Sequence, residues 1–124
     1  MDDSRSVYRC TFCGQMVSVV HRGAGELVCC GHPMTRLVEH ESDKGLEKHL
    51  PVGNAAADGL QVQVGETEHP MTDNHYIQWI EVQSGGRAFR QFLNPGHPPT
   101  AFFKGLGPES SIRAYCNVHG LWKR

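Results

Sequence analysis

The sequence of 124 residues lacks the features of several classes of protein. It has no apolar run near the ~18 residues of a membrane-spanning helix, so no membrane association is expected. Its formal net charge is −1, which provides no overall basic field for nucleic acid or acidic lipid. Residues 1–5 are polar and acidic and lack the basic-then-apolar pattern of a secretory signal. We therefore expect a cytoplasmic protein, in a compartment that keeps thiols reduced.

Helical patterns and internal repeats are also missing from the sequence. No long segment combines helical spacing of apolar residues with capping residues. Short runs rich in aromatic and β-branched residues are instead separated by glycine- and proline-containing turns, at the spacing of roughly 8 to 12 residues typical of sandwiches and barrels. These runs predict an all-β fold. The predicted strands are 17–20, 61–64, 76–82, 88–93, 100–103 and 112–115.

Cysteine and histidine are abundant for this length, at five and eight residues. An odd number of cysteines argues against a framework built only of disulfides. In a reducing compartment, clustered cysteines more often bind a metal or take part in catalysis. A redox-active C-x-x-C dithiol is less well supported, because the βαβ pattern that surrounds that motif in redox proteins is missing. The sequence therefore points to metal binding.

Four of the cysteines lie in the first 37 residues. Cys10 and Cys13 form a C-x-x-C motif, whose two thiolates can bind one metal from a tight turn, and Gly14 permits that turn. Cys29 and Cys30 are adjacent, so they cannot form the same turn and would strain an ideal tetrahedron. Four thiolates select zinc or iron, and a site with four protein ligands suits structure or electron transfer. The spacing does not decide between the two metals.

The N-terminal segment is too short to fold on its own. Below about 40 residues a chain buries too little apolar surface and usually needs a metal or disulfides. The following residues, 38–48, are polar and look like a linker. We therefore predict a small metal-stapled lobe at residues 1–37, followed by a β-sandwich domain at residues 38–124.

A second group of candidate ligands lies in the remainder of the chain. Cys116 and His119 form a C-x-x-H pair that can offer a thiolate and an imidazole to one metal from one loop. A single histidine is more often a surface or core residue than a ligand. His69 and His75 lie at the ends of predicted strands, which favours a second site, and spacing alone does not exclude His97. Nothing local pairs four other histidines, which we predict are not ligands: His21, His32, His40 and His97.

Three longer motifs extend this second group. They are Glu47-Lys48-His49-x-Pro51, His69-Pro70-Met71 followed by His75, and Cys116-Asn117-x-His119-Gly120-x-Trp122. With the four N-terminal cysteines, and in this order, they resemble the desulfoferrodoxins, the two-iron class of superoxide reductase, over nearly the whole length. The N-terminal lobe resembles desulforedoxin and the remainder resembles neelaredoxin. The resemblance implies an immunoglobulin-like β-sandwich for the second domain.

The resemblance also implies ligands and chemistry. It assigns one iron ion to the four cysteines, where zinc is also possible. It assigns a second, catalytic iron to four equatorial imidazoles and one axial thiolate, from His49, His69, His75, His119 and Cys116. This second site would reduce superoxide by one electron to hydrogen peroxide. Lys48 would attract the anion and organise a proton-donating water, and Glu47 would offer a carboxylate to the sixth position in the resting state.

Partners and alternative functions follow in the same way. The family uses a rubredoxin-type electron donor and forms homodimers, so both are expected. The main alternative is a rubredoxin-like electron-transfer protein whose second metal site is not catalytic, and a structural zinc ribbon joined to a β-sandwich is a third possibility. Dismutation is disfavoured, because a strongly donating thiolate opposes the oxidation of a second superoxide. Without the family, Glu47 and Lys48 would be an ordinary solvated charge pair, and the intact motif favours function instead.

Overall fold

The computed structural model describes residues 5–41 and 48–124. Across these two ranges the chain contains thirteen β-strands and no helix, which confirms the predicted all-β class. The described part accordingly has no helix long and apolar enough to cross a membrane. The chain divides into two compact units, Met1–Val38 and Glu39–Arg124.

The first unit is built from five short strands. They are β1 (Val7–Arg9), β2 (Met16–Ser18), β3 (Val28–Cys29), β4 (His32–Pro33) and β5 (Thr35–Arg36). β1 lies between β2 and β5 in an antiparallel sheet, and β3 and β4 form a hairpin. Of the unit's described residues, only Val7 and Cys10 are buried. So small a core cannot offset the entropy of ordering the chain, so this unit needs an additional constraint.

The second unit is a sandwich of two sheets. Its strands are β6 (Glu39–His40), β7 (Pro51–Ala56), β8 (Gly59–Val64), β9 (Ile77–Ser84), β10 (Arg87–Phe92), β11 (Thr100–Lys104), β12 (Ser111–Cys116) and β13 (Gly120–Lys123). One sheet has the order β10-β9-β12-β13-β6, and the other has the order β11-β8-β7. The pairs are antiparallel except for β13 and β6, which run parallel.

One apolar core fills the space between these two sheets. Alternate residues of β8 face it from one side, and residues of β9 and β12 face it from the other, as the period of two in a strand requires. The fully buried members on these strands are Leu60, Val62, Val64, Ile77, Ile80, Val82, Ala114 and Cys116. The sulfur of Cys116 is therefore held in place by the packing of the core.

A β-bulge interrupts the alternation beside Cys116. The register between β9 and β12 shifts at Tyr115/Cys116, where β9 has one extra residue, Gln78. Bulges bend a strand and re-aim the side chains next to them. As a result, Ile77 and Ile80 both enter the core although they are three residues apart.

An ionic cluster crosses three strands of the larger sheet. Glu81 on β9 lies opposite Arg113 on β12 and opposite Arg90 on β10. Its carboxylate accepts hydrogen bonds from Arg113 Nε (2.9 Å), Arg113 Nη2 (2.5 Å), Gln83 Nε2 (2.7 Å) and Arg90. Burial alone would raise the pKa of Glu81, but the hydrogen bond from Gln83 and the charges of the two arginines outweigh it and hold this pKa below its ordinary value. No local pattern in the sequence indicates this cluster.

The six predicted strands are all present, with ends shifted by at most two residues. The seven other strands were not predicted, namely the short strands β1, β3, β4, β5 and β6 and the sandwich strands β7 and β13. β7 begins with proline and contains glycine, asparagine and alanine, which favour strands weakly, so its pairing with β8 makes it a strand. The predicted linker, 38–48, is corrected at Glu39–His40, which form β6 beside β13. Residues 42–47 of that linker lie outside the described ranges.

Candidate metal centres

The four cysteines of the first unit converge, with their sulfur atoms all within 4.8 Å of one another. Half of the group comes from the C-x-x-C turn between β1 and β2. Gly14 N–H donates to the carbonyl of Cys10 (2.9 Å), and the N–H of Cys13 points at the sulfur of Cys10 (3.5 Å). The N–H of Gln15 does the same for the sulfur of Cys13 (3.4 Å). One backbone N–H thus points at each of the two sulfurs, as in the knuckle that the motif predicts.

The adjacent pair reaches the group by a different turn. Cys30 and Gly31 form the two-residue loop of the β3–β4 hairpin, and both have positive φ angles, 54° and 74°. Two positive φ angles define the tight hairpin turn that follows the twist of its strands. The left-handed conformation of Cys30 costs roughly 1–3 kcal/mol and brings its sulfur within 4.0 Å of that of Cys29. Cys30 therefore reaches the group through a backbone conformation that residues other than glycine rarely adopt.

The thiols of this group differ sharply in acidity. The N–H of Cys13 lowers the pKa of Cys10 to about 6, against an opposing effect of burial. The pKa of Cys29 is raised to about 12, first by its hydrogen bond with the Cys13 thiol and then by the one with Cys10. The pKa of Cys30 is raised by the same two neighbours. Four thiols this close lose all their protons only when a cation takes their place, so this donor set fits a metal ion.

In the second unit, one nitrogen from each of four histidines and the sulfur of Cys116 also lie within 4.8 Å of one another. The imidazoles form a closed ring, in which each ring contacts the next one edge to face. Centroid distances around it are 5.0 Å for His49–His69, 4.8 Å for His69–His75, 4.9 Å for His75–His119 and 4.6 Å for His119–His49. Planes tilted by 65–84° allow four nitrogens to face a common centre.

Three separate segments supply these donors. His49 precedes β7, His69 and His75 lie in the connection from β8 to β9, and the C-x-x-H turn joins β12 to β13. The segment of His49 runs close to the end of β8, where Gly65 donates to the carbonyl of Leu50 (2.9 Å). A side chain at Gly65 would lie 2.7 Å from the backbone of Lys48, so a glycine is required for this approach.

The C-x-x-H turn repeats the local geometry of the C-x-x-C turn. The N–H of His119 points at the sulfur of Cys116 (3.4 Å), and His119 Nδ1 lies 3.8 Å from that sulfur and 2.9 Å from His49 Nε2. Burial raises the pKa of the Cys116 thiol, although the N–H groups of His119 and Val118 act in the opposite direction. In this site a metal would have to displace a tightly held proton.

Two buried nitrogen atoms test whether a metal fits this site. His69 Nδ1 hydrogen-bonds the carbonyl of Pro70 (2.7 Å), so Nε2 carries the lone pair. Neither His69 Nε2 nor His75 Nε2 has a hydrogen-bond partner in the described part of the chain, although both are buried. An unpaired buried polar atom costs roughly 1–3 kcal/mol. Burial also lowers the pKa of His69 to about 4, which keeps this ring neutral at pH 7. Both nitrogens are therefore ready to bind a cation.

The site is open on one side. His49, His69 and Cys116 are buried, whereas His75 is half-buried and His119 is exposed. Lys48 is exposed beside His49. Burial is the main cause of the lowered pKa of His75, and the charge of Lys48 contributes to it after those of His119 and His49. The charge of Lys48 thus acts on His75, while Glu47 lies outside the described residues.

Trp122 and Asn117 belong to the third sequence motif, but the sequence assigned no role to either side chain. The indole of Trp122 stacks on His49, with centroids 4.6 Å apart and planes at 17°, and its Nε1–H donates to the carbonyl of His119 (3.2 Å). Asn117 hydrogen-bonds the segment that carries His75. The histidines expected not to be ligands lie outside both groups, and among them His32 stacks on Phe12. In the sequence, the signal for Asn117 and Trp122 was that both lie in the C-x-x-H-G-x-W motif.

The fold and the two donor groups are those of a β-class metalloprotein with one thiolate cluster and one histidine–thiolate cluster. A family model described as desulfoferrodoxin, N-terminal domain, matches residues 3–37, and one described as desulfoferrodoxin matches residues 41–124. The desulfoferrodoxin of Syntrophotalea carbinolica is 49% identical over 122 residues, which are 98% of this chain and 97% of that protein. The chain belongs to the desulfoferrodoxin family.

Solved structures agree with this assignment. The superoxide reductase from Treponema pallidum superposes with a TM-score of 0.75 over 96% of this chain and 95% of that one, and at 22% identity it shows the fold alone. The superoxide reductase from Giardia intestinalis is 31% identical, with a TM-score of 0.53 over 63% of this chain and 95% of that one. The family and fold predicted by resemblance are thereby confirmed.

Proposed function

We propose that this protein is a superoxide reductase, which combines superoxide with one electron and two protons to give hydrogen peroxide. The observation that carries the proposal is the closed ring of four imidazoles around a centre shared with the sulfur of Cys116. Five mixed donors are one more than a closed zinc site requires and one fewer than six-coordinate iron accepts. A small anion can therefore bind as an additional ligand.

The catalytic iron would be held by the nitrogen and sulfur donors of His49, His69, His75, His119 and Cys116. When bound, this metal supplies one-electron chemistry between its +2 and +3 states. The neutral imidazoles add no charge, so the thiolate of Cys116 is the one anionic ligand and donates electron density to the centre. Such donation favours transfer of an electron to superoxide over removal of an electron from it.

Lys48 would attract the substrate and help to supply the protons of the product. Lys48 is exposed and directly precedes His49 in the chain, so its ammonium group would attract a small anion that approaches the site. Because the net charge of the chain is −1, attraction of the anion has to be local. The ammonium group can also hold a water molecule that donates a proton to the reduced oxygen. By resemblance to the family, Glu47 would offer its carboxylate to the open ligand position in the resting state.

The four cysteines would hold a second iron, which transfers electrons or supports the fold. We extend the assignment to a desulforedoxin-like domain at residues 1–37 and a neelaredoxin-like domain at residues 38–124. A rubredoxin-type donor would supply the electron, and the active form would be a homodimer in the cytoplasm. Family membership supports these assignments.

One experiment tests the function directly. The purified protein is analysed for metal, and its visible spectrum is recorded during titration with superoxide, while hydrogen peroxide and oxygen are counted. The reductase gives one peroxide per superoxide, with an electron drawn from the donor. Evolution of one oxygen together with one peroxide for every two superoxide ions would instead identify a dismutase. Reduction of both irons by superoxide, with release of oxygen and no peroxide, would favour the rubredoxin-like carrier. Zinc in both sites would contradict the proposal.

A further inference from the structure

Asn117 links two of the three segments that supply the histidine–thiolate site. It lies inside the C-x-x-H turn, and its side chain spans the segment that carries His75. Its Oδ1 accepts from the N–H of Tyr76 (2.9 Å), and its Nδ2 donates to the carbonyl of Asn74 (3.1 Å). Its own backbone N–H donates to the carbonyl of Tyr76 (3.2 Å). One residue is thus bonded to the backbone on both sides of His75.

The other hydrogen bonds seen at His75 are local. Its backbone exchanges bonds with Thr72 (3.0 and 3.3 Å), and the Thr72 hydroxyl also bonds to this backbone (3.2 Å). These contacts shape the loop and do not anchor it to the other ligands. The bonds of Asn117 join positions 41 and 43 residues apart in the chain. Together with the backbone bond between Asn117 and Tyr76 and the pairing of Ile77 with Cys116, they connect the loop of His75 to the turn of Cys116 and His119.

We infer that Asn117 is a positioning residue, which sets the imidazole of His75 relative to His119 and Cys116 before a metal binds. Donors from separate segments must be brought together at a cost in conformational entropy, and a rigid connection between the segments removes part of this cost from metal binding. The half-buried ring of His75, with its Nε2 unpaired, depends on that connection for its direction.

The chemistry of the side chain is specific. An asparagine amide offers an acceptor and a donor three bonds from Cα, and both are used here. In Asn117→Asp the acceptor for Tyr76 remains, but the donor for Asn74 is replaced by an oxygen. In Asn117→Ala both side-chain bonds are lost. Asn117→Asp therefore removes one of the two side-chain hydrogen bonds, and Asn117→Ala removes both.

This inference rests on the proposed metal site, so its test measures metal retention and not superoxide turnover. Asn117→Ala is compared with Asn54→Ala, an exposed asparagine on β7 in the opposite sheet, in the iron-loaded full-length protein. A chelator is added, and iron lost per chain is followed, while the electron paramagnetic resonance spectrum reports which site retains its ion. The four-cysteine site of the same molecule serves as the internal reference.

We expect Asn117→Ala to weaken iron binding at the histidine–thiolate site by about 10- to 100-fold, the usual scale for residues that orient ligands. Asn117→Asp should give a smaller loss, and it provides the test if the alanine variant does not fold. Asn54→Ala should have no effect. In a His75→Ala background, Asn117→Ala should add less than about twofold, because the ligand it orients is gone.

An equal loss with and without His75 would overturn the inference, since Asn117 would then act on the fold in general. So would unchanged iron binding in both Asn117 variants. Failure of the proposed function is a separate outcome: the wild-type protein would hold iron and lose it faster in Asn117→Ala, yet make no peroxide from superoxide.

Discussion

The C-x-x-C turn and the C-x-x-H turn share one local hydrogen bond and differ in their surroundings. In each, the N–H of the last residue points at the sulfur of the first, at 3.5 Å for Cys10 and 3.4 Å for Cys116. The pKa of Cys10 is lowered to about 6, because the backbone N–H of Cys13 dominates. The pKa of Cys116 is raised, because burial dominates. The same turn therefore gives a thiol that loses its proton readily in the small unit and a thiol that retains its proton in the sandwich.

This difference separates two ways of building a metal site. The cysteines of the first unit belong to a segment with almost no apolar core, so the metal has to organise the polypeptide. Cys116 belongs to the apolar core of the sandwich, so the polypeptide organises the site before the metal arrives. The first arrangement suits structure or electron storage. The second suits catalysis, which requires donors held in fixed positions.

Loss of the buried thiolate should have the largest effect. Cys116→Ser replaces the anionic sulfur by a hydroxyl, which donates far less electron density, so rapid superoxide reduction should fall by on the order of a hundredfold or more. Pulse generation of superoxide with optical detection measures the rate, and metal analysis controls for loss of iron. Near-normal turnover in this variant would rule out a role of the thiolate in the reaction.

Loss of an exposed thiolate should affect structure instead. Cys13→Ser should weaken metal binding in the first unit and expose its amides, since a structural metal contributes on the order of 10 kcal/mol to folding of a small domain. Hydrogen exchange of residues 5–38 measures this effect. Superoxide reduction by the pre-reduced variant should remain within about twofold of wild type. Loss of that reaction as well would mean that the two sites depend on each other.

The sandwich should depend on the ionic cluster of Glu81 rather than on a metal. Glu81→Gln removes the closest counter-charge of the buried Arg113, which then keeps the more exposed Glu39 (3.1 Å) as an acidic partner. This loss should lower the free energy of unfolding by up to about 3–5 kcal/mol. The folded-state pKa of Glu81 is lowered, so its stabilisation is present above the ordinary carboxyl pKa and is lost as pH falls through the folded value. Unfolding of the second unit measured against pH should show this loss in wild type.

The Glu81→Gln variant should lack that acid-dependent component, because the amide does not titrate. Glu66→Gln, an exposed glutamate in the same unit, is the matched control and should retain it. If the acid dependence were identical in all three proteins, other carboxyl groups would be responsible for it.

The smallest effect is expected at the exposed lysine. Lys48→Ala should slow the reaction with superoxide by up to about tenfold and weaken its dependence on ionic strength, because a local positive charge has been removed. Both irons should remain bound. Rates at two salt concentrations provide the measurement. An unchanged rate would make Lys48 an ordinary surface charge.

Much of the fold could be predicted because its signals are local. The run from Tyr76 to Val82 is rich in aromatic and β-branched residues, and it became β9 with ends shifted by one and two residues. β13 could not be predicted, since Gly120–Lys123 is four residues long and becomes a strand by pairing with β12. The bond between Glu81 and Arg113 was equally hidden, because it joins residues 32 apart in the chain.

In the histidine–thiolate site, too, the features with local signals could be predicted and those that join distant residues could not. The C-x-x-H pair was visible in the sequence, and the remaining histidines entered through family resemblance. His97 could not be excluded by spacing, and the structure leaves it outside the donor group. The connection made by Asn117 was not predicted at all, because its partners, Asn74 and Tyr76, lie in a different segment.

The sequence by itself determined the all-β class, the types of donor atom and the two tight turns, because each depends on residues within a few positions of one another. The tertiary structure decided which histidines meet, since His49 and His119 are 70 residues apart and contact only through the pairing of strands. The register of β7 with β8 and the bulged register of β9 with β12 set those distances. Burial of Cys116 follows from the same packing, and it makes the two similar turns chemically different.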